Sequence, residues 1–269
     1  METLKQAAAA VGEAEALLIG AGAGMGVDSG LPDFRGPEGF WRAYPALRGH
    51  RFEEMADPSW FERDPSRAWG FYGHRLNLYR ETVPHIGFAI LKEWSKTRDT
   101  AVFTSNVDGQ FQKAGFSESQ ICECHGSIHW LQDLHPRYRG SISSAAGIEV
   151  SVDEQTVRAA EPLPRHPDSG SLLRPNILMF GDGHWLSDRT SAQHGRLELW
   201  RDRLQGRRLV IIEIGAGTAI PSVRHYCERM QQLNGTLIRI NPREPEGPPG
   251  TLSLAMGGAA ALQAIEQHL

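Results

Sequence analysis

The chain has few cysteines, no long apolar run and little excess charge. Three cysteines among 269 residues, Cys122, Cys124 and Cys227, are too few and too unevenly spaced for a disulfide framework. No stretch approaches the ~18 consecutive apolar residues of a membrane span, and the first dozen residues lack the pattern of a secretory signal. A net charge of −4 gives no electrostatic reason to expect nucleic acid as a partner. We therefore expect a cytoplasmic protein with neither a membrane nor a nucleic-acid partner.

The spacing of short apolar runs predicts an α/β fold. Such runs recur between helical stretches, which is typical of a doubly wound, Rossmann-like parallel sheet with helices on both faces. The runs lie at 16–19, 100–104, 121–124, 176–180, 209–214 and 236–240. Two segments break the alternation: 40–84 is rich in aromatic residues and helical in pattern, and 132–172 has little periodicity and few core residues. We expect one domain, with a Rossmann-like part at 1–39, 85–131 and 173–269 and a smaller inserted subdomain at 40–84 and 132–172.

Chemically informative residues follow the predicted strands. Parallel sheets bind ligands at the carboxyl ends of their strands. The residues that follow the six runs, in chain order, are Gly22, Asn106, His125, Gly181, Gly215 and Asn241. Six loops are therefore expected to converge on one edge of the sheet.

The first of these loops is rich in glycine. Residues 20–36 read GAGAGMGVDSGLPDFRG, with glycines at alternate positions at the start. Such glycines let the backbone approach a ligand closely and offer N–H groups to a phosphate. The spacing differs from the usual dinucleotide fingerprint, and a glycine-rich turn without a ligand is the alternative.

The end of this loop, GLPDFR at 30–35, resembles the signature of the sirtuins, the NAD-dependent protein deacylases. The resemblance extends from about 14 to about 262. It is carried further by TSNVD at 104–108, HG at 125–126, RPNILMFGD at 174–182, GAGT at 215–218 and INPRE at 240–244. It implies NAD as the cofactor and an acylated lysine of a protein or peptide as the substrate.

The resemblance also implies roles for individual residues. His125 would be the general base on a ribose hydroxyl, Asn106 would be needed for catalysis, and Asp108 would help to hold the nicotinamide carboxamide. Ser105 stands where the family has glutamine. Taken alone, residues 105–109 would be an ordinary turn, and a single histidine at a strand end is usually structural. The implied cofactor contacts are Gly22, Ala23, Gly24, Asp33, Phe34, Arg35, Ser105, Asn106, Asp108, Gly215, Gly217, Thr218, Asn241 and Met256.

Two further segments are expected to meet the substrate. The family pairs the backbone of the segment that contains Phe180 and Gly181 with substrate peptide, and this segment can be a core strand at the same time. Tyr72 and Arg75 have the Tyr-x-x-Arg spacing of the sirtuin branch that removes succinyl, malonyl and glutaryl groups. At this spacing both side chains lie on one helical face, where they could also be ordinary surface residues.

The chain departs from the family in its small subdomain. Most sirtuins hold a structural zinc with two Cys-x-x-Cys pairs, and alignment places Asp133, Pro136, His166 and Ser169 at the four positions. Asp133, His135 and His166 are types of side chain that can bind zinc, but their spacing is irregular and no thiolate joins them. We expect no metal, and a small subdomain held by packing, with or without a partner copy in a homo-oligomer.

The predicted activity is removal of acyl groups from lysine, of either deacetylase or desuccinylase type. By resemblance, the acyl oxygen attacks the ribose of NAD, nicotinamide leaves, and His125 activates a ribose hydroxyl that takes over the acyl group as O-acyl-ADP-ribose. Two alternatives stay open. One is an NAD-consuming ADP-ribosyltransferase or glycohydrolase, which the loss of the zinc cysteines and of the glutamine before Asn106 favours. The other is an inactive NAD-sensing protein that binds a partner.

Overall fold

The computed structural model describes residues 2–33, 36–134 and 142–269, without the side chains of 36–38. Two expected cofactor contacts, Phe34 and Arg35, lie outside the described residues, as do His135 and Pro136.

Strands and helices alternate through most of the described chain. The strands are, in order, β1 (Ala16–Ala21), β2 (Asp99–Thr104), β3 (Ile121–Glu123), β4 (Gly126–Asp133), β5 (Ser143–Ser144), β6 (Val152–Asp153), β7 (Arg158–Ala159), β8 (Leu173–Ile177), β9 (Leu209–Ile214), β10 (Thr236–Ile240) and β11 (Leu252–Leu254). The α-helices are α1 (Glu2–Glu13), α2 (Gly36–Ala43), α3 (Phe52–Met55), α4 (Trp60–Arg63), α5 (Pro65–Glu81), α6 (Ile86–Trp94), α7 (Gln110–Lys113), α8 (Asp188–Asp202), α9 (Ser222–Gln232) and α10 (Gly258–Glu266). Short 3-10 helices lie at Ala23–Ser29, Pro45–Leu47 and Glu118–Gln120.

The main sheet is parallel, six-stranded and covered on both faces. Its strand order is β11-β10-β9-β1-β2-β3. Along β1, Leu17 and Ile19 face a cluster built with α1, α6 and α10, whereas Leu18 faces a cluster built with α8 and α9. Because both faces are buried, the central strands are continuous apolar runs rather than alternating ones. The predicted α/β fold is therefore confirmed, and β11 is a short edge strand that the sequence pattern did not predict.

One predicted strand of the parallel sheet is wrong. The apolar run at 176–180 overlaps β8, which pairs antiparallel with β4 in a separate sheet of order β5-β4-β8. Four of its five residues are apolar, but only two of these four are buried: Ile177 and Met179 are in the core, while Leu178 and Phe180 are 40% and 39% exposed. Buried and exposed side chains thus alternate after β8, so this segment presents a surface instead of crossing a core.

The segment 142–172 packs against α5 more closely than its sequence indicates. Val150, Val157 and Leu163 are buried in one cluster with Trp69 and Leu76 of α5, so the expectation of a poor core is wrong for this segment. The division of the chain into a Rossmann-like part and a small subdomain stays a prediction.

Side chains of α5 also donate hydrogen bonds to the backbone of this segment and of Leu173, the first residue of β8. The donor and acceptor pairs are Ser66 Oγ to Ala159 O at 2.7 Å, Trp69 Nε1 to Leu173 O at 2.9 Å, Asn77 Nδ2 to Val150 O at 2.9 Å and Arg80 to Ile148 O at 2.6 Å. Asp64, which caps the helix, pairs with both terminal nitrogens of Arg158 at 3.0 and 2.7 Å. These bonds satisfy carbonyl groups that a loop with little secondary structure would otherwise bury unpaired.

Two glycines allow α5 to approach this segment. A Cβ at Gly70 would collide with the carbonyl oxygen of Val157, and a Cβ at Gly73 would lie 2.5 Å from Cγ1 of Val150. Glycine weakens a helix by about 1 kcal/mol relative to alanine. Its presence at both positions is therefore explained by the close contact and not by the helix.

We predict that Gly70→Ala lowers the free energy of unfolding by about 1–3 kcal/mol, because the collision outweighs the gain in helix propensity. Urea unfolding followed by circular dichroism measures it. The matched control is Gly195→Ala in α8, where no heavy atom lies within 4 Å of the added Cβ, and where we expect a gain of about 0.5–1 kcal/mol. Equal stability of the two variants would contradict the close contact.

Candidate functional site

A cleft of about 850 Å³ lies at the carboxyl edge of the parallel sheet. Four of the predicted strand-end residues line it: Gly22 after β1, Asn106 after β2, His125 after β3 and Gly215 after β9. Gly181 lines it from the segment that follows β8. The loops thus meet as expected, although β8 brings its loop there from the antiparallel sheet.

The glycine-rich loop after β1 packs directly against the loop after β9. A Cβ at Gly22 would lie 2.6 Å from Cα of Ala216, and one at Gly24 would lie 2.7 Å from Cα of Gly215. The N–H groups of Gly22 and Gly24 donate to Ile214 O and Gly215 O, each at 3.0 Å. The amides of Gly22 and Gly24 are therefore already bonded within the protein, and the phosphate cradle expected of this loop stays a prediction.

The loop after β2 is tied to the glycine-rich loop. Thr104 Oγ1 donates to Ala21 O at 2.9 Å and accepts from the Asn106 N–H at 3.0 Å. Nδ2 of Asn106 donates to Gly22 O at 3.0 Å. Gly109, with φ of 70°, ends the segment in the left-handed region that favours glycine. The segment is therefore a turn, and the same turn fixes Asn106 at the wall of the cleft.

Asp108 lines the cleft with a carboxyl group that is almost completely buried. Burial raises its pKa to about 6, although the N–H of Gln110 donates to Oδ1 at 2.9 Å and favours the charged form. The carboxylate of Glu123 raises the pKa further. The Gln110 N–H and the charge of Arg75 offset burial only in part, so the buried carboxylate costs stability, which is common at functional sites.

His125 lies half-buried at the end of β3. Its Nε2 is 3.3 Å from Oγ of Ser222, the first residue of α9, and its carbonyl accepts the N–H of Leu178 at 2.9 Å. Burial lowers the pKa of His125, and a hydrogen bond with the Ser105 backbone partly offsets that effect. The ring is therefore neutral at working pH, as a proton acceptor must be.

The α5 side of the cleft is aromatic. The guanidinium of Arg75 lies 5.3–5.8 Å from the ring centres of Phe52, Phe71, Tyr72 and Tyr79, and its Nε donates to the Tyr79 hydroxyl at 3.0 Å. The Tyr72 hydroxyl is buried and has no hydrogen-bond partner among the described residues. Burial also raises the pKa of Tyr72 to about 12, so the group stays a donor at working pH. Neither side chain is an ordinary surface residue of α5.

The segment after β8 is held by a buried ion pair. Arg174 and Asp182 bind through two hydrogen bonds, at 2.7 and 2.9 Å, and both side chains are fully buried. The N–H of Phe180 donates to Ala56 O at 2.9 Å. Phe180 and Gly181 therefore line the cleft from a segment that is fixed at both ends.

The cleft includes most of the sequence-predicted residues but not all of them. Asn241 is fully buried behind the wall, where its Nδ2 donates to Ala216 O at 2.9 Å and its Oδ1 accepts the N–H of Arg243 at 3.0 Å. Met256 packs against the core, and Gly24 contacts the loop after β9. The predicted residues that do line the cleft are Gly22, Ala23, Asp33, Tyr72, Arg75, Ser105, Asn106, Asp108, His125, Phe180, Gly181, Gly215, Gly217 and Thr218.

Two pairs of side chains join loops that line the cleft, and the sequence analysis predicted neither pair. Oγ1 of Thr218 donates to Oε1 of Glu244 at 2.6 Å, and a nitrogen of Arg243 lies 3.6 Å from Oδ2 of Asp33. Phe52 and Tyr79 of the aromatic side were missed as well. The sequence offered one signal for Tyr79: it follows Arg75 by four residues, and residues at this spacing are neighbours on a helix.

The positions aligned with zinc cysteines make local hydrogen bonds. Oδ1 of Asp133 accepts from Ser171 Oγ, and Nδ1 of His166 accepts the N–H groups of Asp168 and Ser169 at 3.3 and 3.4 Å. Within 2–33, 36–134 and 142–269, no three His, Cys, Asp or Glu side chains are grouped as a metal site requires. The absence of a structural zinc stays a prediction.

Comparison with known proteins gives the family. A sequence profile of the Sir2 family matches residues 22–197, well over half of the chain. The chain belongs to the Sir2 family. An NAD-dependent protein deacylase of Pyrococcus furiosus is 33% identical to this Sir2-family chain over 223 residues, which is 82% of this chain and 79% of that protein. The mitochondrial NAD-dependent protein deacylase sirtuin-5 of Danio rerio is 30% identical over 185 residues, covering 63% and 58% of the two chains.

Solved structures agree on the fold. The crystal structure of a Sir2 homologue in complex with NAD superposes with a TM-score of 0.71 at 23% identity, covering 98% of this chain and 93% of that one. Among the described residues of this Sir2-family chain, no helix is both long and apolar enough to cross a membrane.

We predict that Asp108→Asn stabilises the protein at pH 7–8 by about 1–3 kcal/mol. Because burial raises the pKa of Asp108 from 3.8 to about 6, the folded state binds its proton more tightly than the unfolded state does. Wild-type stability should therefore fall as the pH rises from about 4 through about 6, and the variant should lack this fall. Its advantage should disappear below about pH 4, where Asp108 is protonated in both states.

Urea unfolding at a series of pH values measures this difference. Asp153→Asn is the matched control, for which we expect a change in stability of the opposite sign. Hydrogen bonds from Thr156 and Gln155 lower the pKa of the exposed Asp153 carboxyl. Removing this carboxylate should therefore destabilise the protein at neutral pH. A stability difference between Asp108→Asn and wild type that stays constant from pH 4 to pH 8 would refute the assignment.

Proposed function

We propose that this chain is an NAD-dependent protein-lysine deacylase, which releases nicotinamide and O-acyl-ADP-ribose. The observation that carries the proposal is the convergence of His125, Asn106 and Asp108 on one cleft at the carboxyl edge of the sheet. The relative from Pyrococcus furiosus, named as an NAD-dependent protein deacylase, supports the same reaction.

The shape of the cleft suits NAD. Loops after β1, β2 and β9 close one wall, and the cleft continues past His125 to the aromatic side of α5. We assign the adenosine half to the walls at Gly217, Thr218 and Glu244, and the nicotinamide half to those at Asn106 and Asp108. NAD supplies a ribose whose nicotinamide can leave and whose hydroxyl can accept the acyl group.

The residues of this chain then act on the bound groups. Positive charge develops on the ribose as nicotinamide leaves, and the fixed amide of Asn106 and the carboxyl of Asp108 stabilise it where water is excluded. Neutral His125 takes the proton of the ribose hydroxyl, whose oxygen then bonds to the acyl carbon. The bond from that carbon to the lysine nitrogen breaks, the lysine leaves as the free amine, and one water is consumed overall. Asn106 is already held by Gly22 O, so it needs little rearrangement to act.

The segment around Phe180 and Gly181 would hold the substrate peptide by backbone pairing. Leu178 and Phe180 are exposed, but their N–H groups already donate to His125 O and Ala56 O, so a substrate peptide would pair with carbonyl groups of this segment. A homo-oligomer stays a prediction.

We also propose a cytoplasmic setting without nucleic acid as a partner. Cys122, Cys124 and Cys227 are unpaired thiols, which suits a reducing compartment. The net charge of −4 supports the absence of a nucleic-acid surface.

We predict that wild-type protein mixed with NAD and acyl-lysine peptides yields O-acyl-ADP-ribose, detected by mass spectrometry. His125→Ala should lower this product by about 10²- to 10⁴-fold, the usual size of a general-base effect. The variant should still bind NAD, with an increase in melting temperature like that of wild type.

The products separate the alternatives. ADP-ribose attached to the peptide would indicate a transferase, and free ADP-ribose formed without peptide would indicate a glycohydrolase. A melting temperature unchanged by millimolar NAD, with or without acyl peptide, would overturn the proposal altogether.

We predict that succinyl-lysine is removed faster than acetyl-lysine. A carboxylate of the acyl group would meet the guanidinium of Arg75 and the hydroxyl of Tyr72, for which the described residues offer no hydrogen-bond partner. A charge-assisted contact of this kind is worth about 1.5–3 kcal/mol, or roughly 10- to 100-fold in kcat/KM. Arg75→Met should remove the preference and leave deacetylation largely intact.

Arg67→Met is the matched control, since Arg67 lies on the same helix and pairs with Asp64 outside the cleft. It should leave the ratio of kcat/KM for succinyl and acetyl peptides unchanged. A wild-type preference for acetyl-lysine, or a succinyl preference retained by Arg75→Met, would show that Tyr72 and Arg75 do not determine the acyl specificity.

A further inference from the structure

The first turn of α9 lies against the proposed base. Oγ of Ser222 is 3.3 Å from Nε2 of His125, although the two residues are 97 positions apart in the chain. Sequence reasoning gave Ser222 no role. Its hydroxyl contacts the nitrogen that would take the ribose proton.

The position of Ser222 is set by close packing of α9 on β1. Gly20 of β1 has no side chain, and a Cβ there would collide with Sγ of Cys227 and lie 3.2 Å from Cγ1 of Val223. Val223 and Cys227 are almost completely buried. The helix therefore cannot move away from the sheet without opening the core, and Ser222 stays beside His125.

The two ring nitrogens of His125 have different surroundings. Nε2 lies 3.3 Å from Oγ of Ser222, and the Ser105 backbone acts on the ring in the direction that favours its protonated form. Since Nε2 faces Ser222, we place the proton of the neutral ring on Nδ1, which leaves the lone pair on Nε2. Oγ of Ser222 donates to that lone pair until the ribose hydroxyl takes its place. That tautomer is the one a general base at Nε2 requires.

We propose that Ser222 is a positioning residue for His125, which holds the ring in the orientation and tautomer that accept the ribose proton. A hydroxyl suits this role because it can donate to Nε2 until the ribose hydroxyl binds there, and can accept from Nε2–H once the proton has moved. The N-terminus of α9 adds a partial positive charge that disfavours an early imidazolium. Ser222 exchanges no proton with the substrate. The inference rests on the proposed deacylase function.

The two halves of the reaction provide the test. Release of nicotinamide, measured as exchange of labelled nicotinamide into NAD with acyl peptide present, precedes the step that needs the base. Formation of O-acyl-ADP-ribose needs it. We expect Ser222→Ala to leave exchange within twofold of wild type and to lower acyl transfer by roughly 2- to 10-fold, the size of one hydrogen bond. KM for NAD should stay unchanged.

Ser222→Thr keeps the hydroxyl and should restore acyl transfer to within twofold of wild type. Ser191→Ala in α8, whose hydroxyl pairs with that of Ser187 at 3.4 Å, should change neither rate. An equal loss of exchange and transfer in Ser222→Ala, no loss of either, or a failure of threonine to rescue would overturn the inference. Absence of peptide-dependent exchange in wild type would instead overturn the proposed function, and this inference with it.

A measurement on the free protein gives a second readout that does not depend on turnover. In ¹⁵N NMR spectra, the His125 ring, assigned by difference from His125→Ala, should show a bare Nε2 and a protonated Nδ1 above its pKa. Ser222→Ala should show a mixture of tautomers. A ring that keeps the wild-type tautomer in this variant would also overturn the inference.

Discussion

The cleft depends on the contact between the loops after β1 and β9. Gly24 donates to Gly215 O, and Gly215 in turn donates to Ile240 O at 2.9 Å. Asn106 joins the β1 loop from the other side through Gly22 O. A side chain at Gly22, Gly24 or Gly215 would separate these loops, since each Cβ would lie within 3 Å of backbone. The glycines therefore serve loop packing first, and a ligand site second.

The α5 helix has a similar role for the other half of the cleft. One side of it receives the segment 142–172, through Gly70 and Gly73 and through donors such as Asn77 and Arg80. Another part of it carries the aromatic rings around Arg75. Packing and hydrogen bonds thus fix the segment where most sirtuins have a zinc module, and they fix it to the helix that shapes the substrate side.

Much of the fold could be predicted from sequence, because strands buried on both faces leave continuous apolar runs. The sequence did not predict β11, because a three-residue edge strand has no such run. It placed β8 in the wrong sheet, because the apolar residues of β8 continue into an exposed segment. Site residues such as His125 and Asn106 came from short motifs at strand ends. The role of Ser222 could not be predicted from a motif, since it depends on how closely α9 packs on Gly20. Asn241 was recognised as part of the site, but its buried amide holds loops together and does not face the cleft.

Burial has opposite consequences for two titratable groups of the cleft, His125 and Asp108. It lowers the pKa of His125, which keeps a proton acceptor neutral, and it raises the pKa of Asp108 to about 6, which makes the carboxylate costly at neutral pH. The Tyr72 hydroxyl, buried at the same cleft, has no hydrogen-bond partner in the part of the chain that the structure describes. A site that must stabilise charge only during reaction has to tolerate such costs in its resting state. The parallel sheet and the contacts of α5 supply the stability that offsets them.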